Sequence, residues 1–183
     1  MADSNKKEKV VVVVVARSPG STLVDSLVEV GFHVEVVDNL SGGKEENVNK
    51  KASLHVVDIK DLEELKPIFK DATCVFHLAA LPRVQYSIEH PIETHEVNVT
   101  GTVNVLVAAK GAGVKRVVYS ASSSAYGDQK VMPLTEEMEA HPKSPYGLQK
   151  YIGELYAKLW CEVYGLETVS LRYFNVYGPR INP

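Results

Sequence analysis

Short runs of apolar, mostly β-branched residues alternate along this chain with longer stretches whose apolar positions recur every three or four residues. Period and length together predict strands at Val10–Val15, His33–Val37, Leu54–Val57, Thr73–His77, Arg116–Tyr119 and Glu167–Leu171. Helices are expected between them, over Ser21–Val30 with a stop at Gly31, over Asp61–Lys70, and from Pro91 to about Lys110–Gly113. A last one runs over Tyr146–Tyr164, with Ser144 as N-cap, Pro145 in the first helical position and Gly165 as its stop. Strands buried on both faces and joined by helices specify an α/β fold. The expectation is a doubly wound parallel sheet, Rossmann-like, with right-handed crossovers and helices on both faces.

The segment outside this rhythm is brief. Residues 1–9 read as a polar leader without the apolar core of a signal peptide, and residues 10–183 as one domain. Leu40–Lys51, rich in Gly, Asn, Lys and Glu, reads as a surface loop. The six consecutive valines at Val10–Val15 are too few to cross a bilayer and fit a buried strand.

Composition narrows the class of function. With 45% hydrophobic and 23% charged residues and a net charge of −3, the chain has no electrostatic case for nucleic acid or an anionic membrane as partner. The two cysteines, Cys74 and Cys161, lie far apart without metal-ligand spacing; packing is their expected role and the cytoplasm the expected compartment. His90 and His95 have poor spacing for one helical face, so no metal site is expected.

In an open parallel sheet, ligands gather at the carboxyl ends of the strands. The polar residues collected there are Asp38, Asn39, Asp58, His77, Ser122, Ser123 and Ser124. An acid ending strand two accepts hydrogen bonds from ribose hydroxyls and repels a 2′-phosphate, so Asp38 favours NAD over NADP; the plainer alternative is a loop acid that starts a turn. His77 ends an apolar strand and is expected to be packed or backbone-bonded, with no chemistry of its own. Tyr146 and Lys150, four residues apart, share one helical face. An ammonium beside a phenol favours the phenolate, so Tyr146 is a candidate general base with Lys150 lowering its pKa. The plainer alternative is a surface pair, and the serine cluster ending strand five upstream favours the functional one.

Several stretches in order resemble the extended short-chain dehydrogenase/reductase family, near its NAD-dependent UDP-sugar 4-epimerases. They are Val36-Val37-Asp38-Asn39-Leu40-Ser41-Gly42-Gly43, His77-Leu78-Ala79-Ala80, Asn98-Val99-Thr100-Gly101-Thr102 and Ser122-Ser123-Ser124-Ala125-Tyr126-Gly127. Ser144-Pro145-Tyr146-Gly147-Leu148-Gln149-Lys150 and Leu171 through Arg180 continue the series. The resemblance implies a cofactor site in which Asp38 and Asn39 hold the adenosine ribose, with Gly20, Ser41 and Gly42 nearby. By the same resemblance Asp58 and Ile59 flank the adenine, Leu78, Ala79, Ala80 and Asn98 line the cofactor, and Tyr173 lies near the nicotinamide. It implies Tyr146, Lys150 and Ser122 as catalytic residues, with Ser123 as a substitute for Ser122, and Asn175 at the phosphate of a UDP-sugar. The related dehydratases carry a carboxylate just before the Tyr-Gly pair; Ala125 stands there instead.

Two features depart from the family. Its glycine-rich turn has glycines at positions 14, 17 and 20, where this chain has Val14, Arg17 and Gly20. Val14 resists the positive φ that such a turn can require, and Arg17 brings a long side chain to the phosphate position, either displacing the pyrophosphate or pairing with it. Family members also continue past the position of Pro183 into a substrate lobe. The expectations are therefore weakened NAD affinity, little turnover by this chain alone, and a homodimer through the helices at Pro91–Lys110 and Tyr146–Tyr164, the first exposing Val97, Val99, Val103 and Val107. A non-catalytic Rossmann-fold dimerisation or binding module is the alternative.

Overall fold

The structure is a computed structural model and describes residues 7–14 and 19–180. Its centre is a six-stranded sheet in the order β3-β2-β1-β4-β5-β6, every neighbouring pair parallel. The strands are β1 (Lys9–Val13), β2 (His33–Asp38), β3 (Ser53–Val56), β4 (Ala72–His77), β5 (Arg116–Ser122) and β6 (Glu167–Tyr173). Helices α1 (Gly20–Val30), α2 (Leu62–Phe69), α3 (Val84–Glu89), α4 (Pro91–His95), α5 (Thr102–Gly111) and α6 (Pro145–Tyr164) connect them.

Alternation of side chains along the strands divides the valine run between two cores. Val11 and Val13 join Leu65, Phe69, Val105, Leu106 and Trp160 beneath α2, α5 and α6. Val10, Val12 and Val14 join Val24, Val34 and Val36 on the opposite face, where α1 packs through Leu23 and Leu27. Chain order reverses direction between β2–β3 and β4, which sends later crossovers to the other face. The expected doubly wound sheet is the fold observed.

Differences lie at the ends of elements. The first strand stops at Val13, short of the expected end at Val15, which is outside the described residues. Strands β5 and β6 run further than expected because they pair with each other as far as Ser122 and Tyr173. The helix expected as one piece from Pro91 is interrupted: a π-helical segment, Glu96–Gly101, separates α4 from α5. Helix α3 was absent from the sequence expectation; it has six residues and no side-chain N-cap, so no periodic signal announces it.

Local chemistry fixes α6. The Ser144 hydroxyl accepts a bond from the Gly147 N–H at 3.1 Å, Pro145 supplies the first turn, and Gly165, at φ 68°, closes the last turn by donating to the Cys161 carbonyl. Cys161 is exposed, contrary to the packing role expected of it, because it falls on the outer face of α6, while Cys74 is half-buried in β4. The loop after Leu40 is tethered: Asn49 donates to Asp25 of α1 at 2.8 Å, and Arg180 bonds both Asp25 and the Asn47 carbonyl.

Candidate functional site

A cleft of about 720 Å³ opens at the carboxyl ends of the strands. One end is built by Gly20, Asp38, Asn39, Ser41, Gly42, Asp58 and Ile59, the middle by Leu78, Ala79 and Ala80, and the other end by Ser122, Tyr146, Lys150 and Tyr173. A separate hollow of about 550 Å³ between α6 and β6 contains none of the candidate residues.

The Asp38 end is organised by its own hydrogen bonds. Asp38 is buried at the end of β2 and accepts from the Leu40 N–H at 2.8 Å, so it is a turn-starting acid as well as a cleft residue. Asn39 donates to Asp58 at 3.2 Å while its carbonyl oxygen accepts from the Ser41 N–H and hydroxyl at 3.1 and 2.7 Å. From α5, Asn104 donates to the carbonyls of Ile59 and Lys60 at 3.0 and 2.9 Å. Gly101 lets the turn after β3 come close: a Cβ there would lie 2.5 Å from Ile59 Cδ1.

Asn98 is not on the cleft wall. It is buried inside the π-helical segment, accepts from the Leu81 N–H at 2.8 Å, and donates to the Leu81 carbonyl at 3.2 Å and to Gln149 at 2.9 Å. Its carboxamide thereby ties the turn after β4 to α6. Ser123 and Asn175 also lie off the wall: Ser123 begins a short 3₁₀ turn, and Asn175 is exposed. Sequence reasoning missed Leu81, Arg83, Tyr86 and Glu93, which line the cleft but bear no motif, and Phe174, which lies in a quoted stretch but was given no role.

At the other end, Lys150 is 2% exposed and its ammonium lies 4.4 Å from the centroid of the Tyr119 ring. Burial pulls its pKa down to about 7, against the opposing charge of Glu154. Burial likewise pushes the Tyr146 phenol up, partly offset by a hydrogen bond with Ser122. The expectation that Lys150 lowers the Tyr146 pKa is therefore corrected for this structure. Desolvation outweighs the pair's proximity, and the ammonium sits over Tyr119. The Tyr146 N–H donates to the Ser87 hydroxyl at 3.0 Å, which anchors the start of α6 to α3.

His77 is buried, and Thr102, which itself donates to the Asn98 carbonyl, lies 2.9 Å from its Nε2. Burial and the Lys150 charge bring its pKa to about 3, so it is neutral at physiological pH and plays the packed part expected of it. Among the described residues no group of three or more His, Cys, Asp and Glu side chains could hold a metal ion, and no helix is long and apolar enough to cross a membrane.

The model of the NAD dependent epimerase/dehydratase family matches residues 15–183. The chain belongs to this family. It is 42% identical over 167 residues to a putative UDP-glucose 4-epimerase of Methanocaldococcus jannaschii, covering 90% of this chain and 54% of that protein. The crystal structure of UDP-glucose 4-epimerase from Thermotoga maritima, with UDP-glucose, superposes with a TM-score of 0.91 at 41% identity, covering 94% of this chain and 57% of that one. The Thermus thermophilus UDP-glucose 4-epimerase in complex with NAD gives 0.90 at 38% identity, over 95% and 58%. The chain thus spans about half the length of the relatives it matches.

Of the glycine-turn positions of the epimerase/dehydratase family, Val14 is one the structure describes. Val14 is 3% exposed, lines the cleft and donates its N–H to the Val37 carbonyl at 2.9 Å. It does not take up the positive φ that such a turn can require; among the described non-glycine residues only Leu40, Asp71 and Arg180 do. Its isopropyl group instead occupies the inner wall. Arg17 lies outside the described residues. Gly20 opens α1 after Pro19, which gives no side-chain cap.

Proposed function

We propose that this chain carries the cofactor-binding and proton-transfer half of a UDP-sugar 4-epimerase. The observation that carries the reading is the convergence of Tyr146, Lys150 and Ser122 at one end of a cleft whose other end holds the buried Asp38. Such a cleft fits NAD by its chemistry: Asp38 and Asn39 face the adenosine ribose hydroxyls, Asp58 and Ile59 flank the adenine, and Leu78, Ala79 and Ala80 give an apolar floor. Tyr173 lies at the nicotinamide end and Asn98 keeps the turn after β4 in place. NAD bound there supplies a reversible hydride acceptor for the sugar C4–H. Tyr146, as phenolate, takes the proton of the 4-hydroxyl, Ser122 hydrogen-bonds that phenol, and Lys150 holds the nicotinamide ribose. Ser123 is a reserve for Ser122, and Asn175 meets the diphosphate of the sugar nucleotide.

Support for the substrate class comes from the relatives, whose names specify UDP-glucose 4-epimerases. The reading places the protein in the cytoplasm as a homodimer, in keeping with the exposed Leu148, Leu155, Leu159 and Val163 along α6. Of the valines first expected to be exposed along Pro91–Lys110, Val99 is buried, and Val97, Val103 and Val107 are partly buried against the core. The test of function is interconversion of UDP-glucose and UDP-galactose with added NAD. Loss of the general base in Tyr146→Phe should lower any measured rate by about a hundredfold or more, with NAD binding retained. A rate that survives in Tyr146→Phe overturns the reading.

A further inference from the structure

Lys150 is the site's buried cation, and few of the groups around it carry compensating charge. On its own helix Tyr146 is a protonated phenol, and Glu154, one turn on, is engaged by Arg172 through three bonds of 3.0, 3.1 and 2.9 Å. From β4 comes the neutral His77. From β5 comes Tyr119, whose ring centroid lies 4.4 Å from the ammonium and whose own hydroxyl is held protonated by burial. We propose that Tyr119 is a positioning residue of the site, the face of its ring favouring the ammonium form of Lys150 and holding it in place on the helix face it shares with Tyr146. The use made of that cation rests on the epimerase reading; the contact itself does not.

The ring is fixed on several sides. Tyr119 is 1% exposed, its hydroxyl donates to the Lys150 carbonyl at 3.4 Å, and its ring stands 5.5 Å from His77. Gly153 admits it to α6: a Cβ at that glycine would lie 2.2 Å from the Tyr119 hydroxyl oxygen and 2.5 Å from Cζ. A ring face carries the negative part of the aromatic quadrupole, and its attraction for a cation grows when water is removed. An aliphatic side chain of similar bulk offers dispersion but no such attraction. The ring therefore offsets part of the cost of burying Lys150, which a second carboxylate would do only by introducing another charge.

The quadrupole is separable from shape by substitution. Protein labelled with ¹³C at the lysine ε-carbon is titrated by NMR without cofactor, following Lys150. The wild type is compared with Tyr119→Phe, Tyr119→Leu and Tyr119→trifluorophenylalanine, the last of which keeps the ring and weakens its negative face. Tyr119→Phe should titrate with the wild type, whereas the fluorinated and leucine variants should titrate lower, Tyr119→Leu by roughly one to one and a half pH units. NAD affinity at mildly alkaline pH should fall in the same two variants and hold in Tyr119→Phe. If the fluorinated variant titrates with Tyr119→Phe, or Tyr119→Phe moves as far as Tyr119→Leu, the proposal is wrong. Absence of NAD binding in every variant would count against the epimerase reading, and the titration would still decide the role of the ring.

Discussion

Gly153 and Tyr119 are in direct contact across the interface of α6 and β5, with no room between them for a methyl group. Gly153→Ala should therefore destabilise the fold by about 1–3 kcal/mol, the usual cost of overpacking a rigid core site. Urea unfolding would register this as a lower midpoint at unchanged slope.

Burial of Lys150 has a pH signature. Its folded pKa, about 7, lies below the reference value of 10.5, so between those values the unfolded chain holds a proton that the folded chain has released. Stability contributed by this group therefore rises with pH through that window and is lowest below it. Between about pH 7 and 9 the rise should be about 2 kcal/mol, in a range where neither the depressed His77 nor the raised Tyr119 titrates. Lys150→Met should abolish the rise and raise the melting temperature at neutral pH. A pH-independent wild-type stability over this range would contradict the burial argument.

Asn98 serves three hydrogen bonds from a buried position. Asn98→Ala strands the Leu81 N–H and the Gln149 side-chain carbonyl, while the Gln149 amide keeps its bond to Thr94, and a loss of about 2–3 kcal/mol is expected. Because Leu81 follows the cleft floor at Leu78–Ala80, NAD affinity should fall as well. Hydrogen exchange at the Leu81 amide checks the local effect, which should rise more than exchange in the β1 core.

Much of this was legible in the chain itself. Six β-branched runs determined the sheet, and the Ser144-Pro145 start with the Gly165 stop located α6 to within a residue. Asp38, Ser122, Tyr146 and Lys150 were readable because strand ends and helical spacing bring them to one cleft. The protonation balance was not, since desolvation depends on what covers Tyr146 and Lys150, and spacing along a helix says nothing of that. Asn98 turns inward from a π-helical segment, and the Lys150–Tyr119 contact joins residues 31 apart in sequence, with Gly153 on the Lys150 helix making room for the ring. Neither has a local signature.

The proposed NAD site is expected to bind weakly at its phosphate end, where Val14 and Arg17 stand in place of glycines. A dinucleotide pyrophosphate is bound by backbone N–H groups at the start of a helix, and only a close backbone makes those bonds. Asp38, Asn39 and Asp58 remain to recognise adenosine. Loss of two hydrogen bonds to charged oxygens, each about 1.5–3 kcal/mol, corresponds to about a hundredfold or more in affinity. Calorimetric titration with NAD of the unmodified chain beside the double variant Val14→Gly with Arg17→Gly tests this most directly. Weak binding by the first and recovery of about a hundredfold in the second is the predicted result. Tight binding by the unmodified chain, with nothing gained from the glycines, would contradict it and make Arg17 a replacement phosphate ligand.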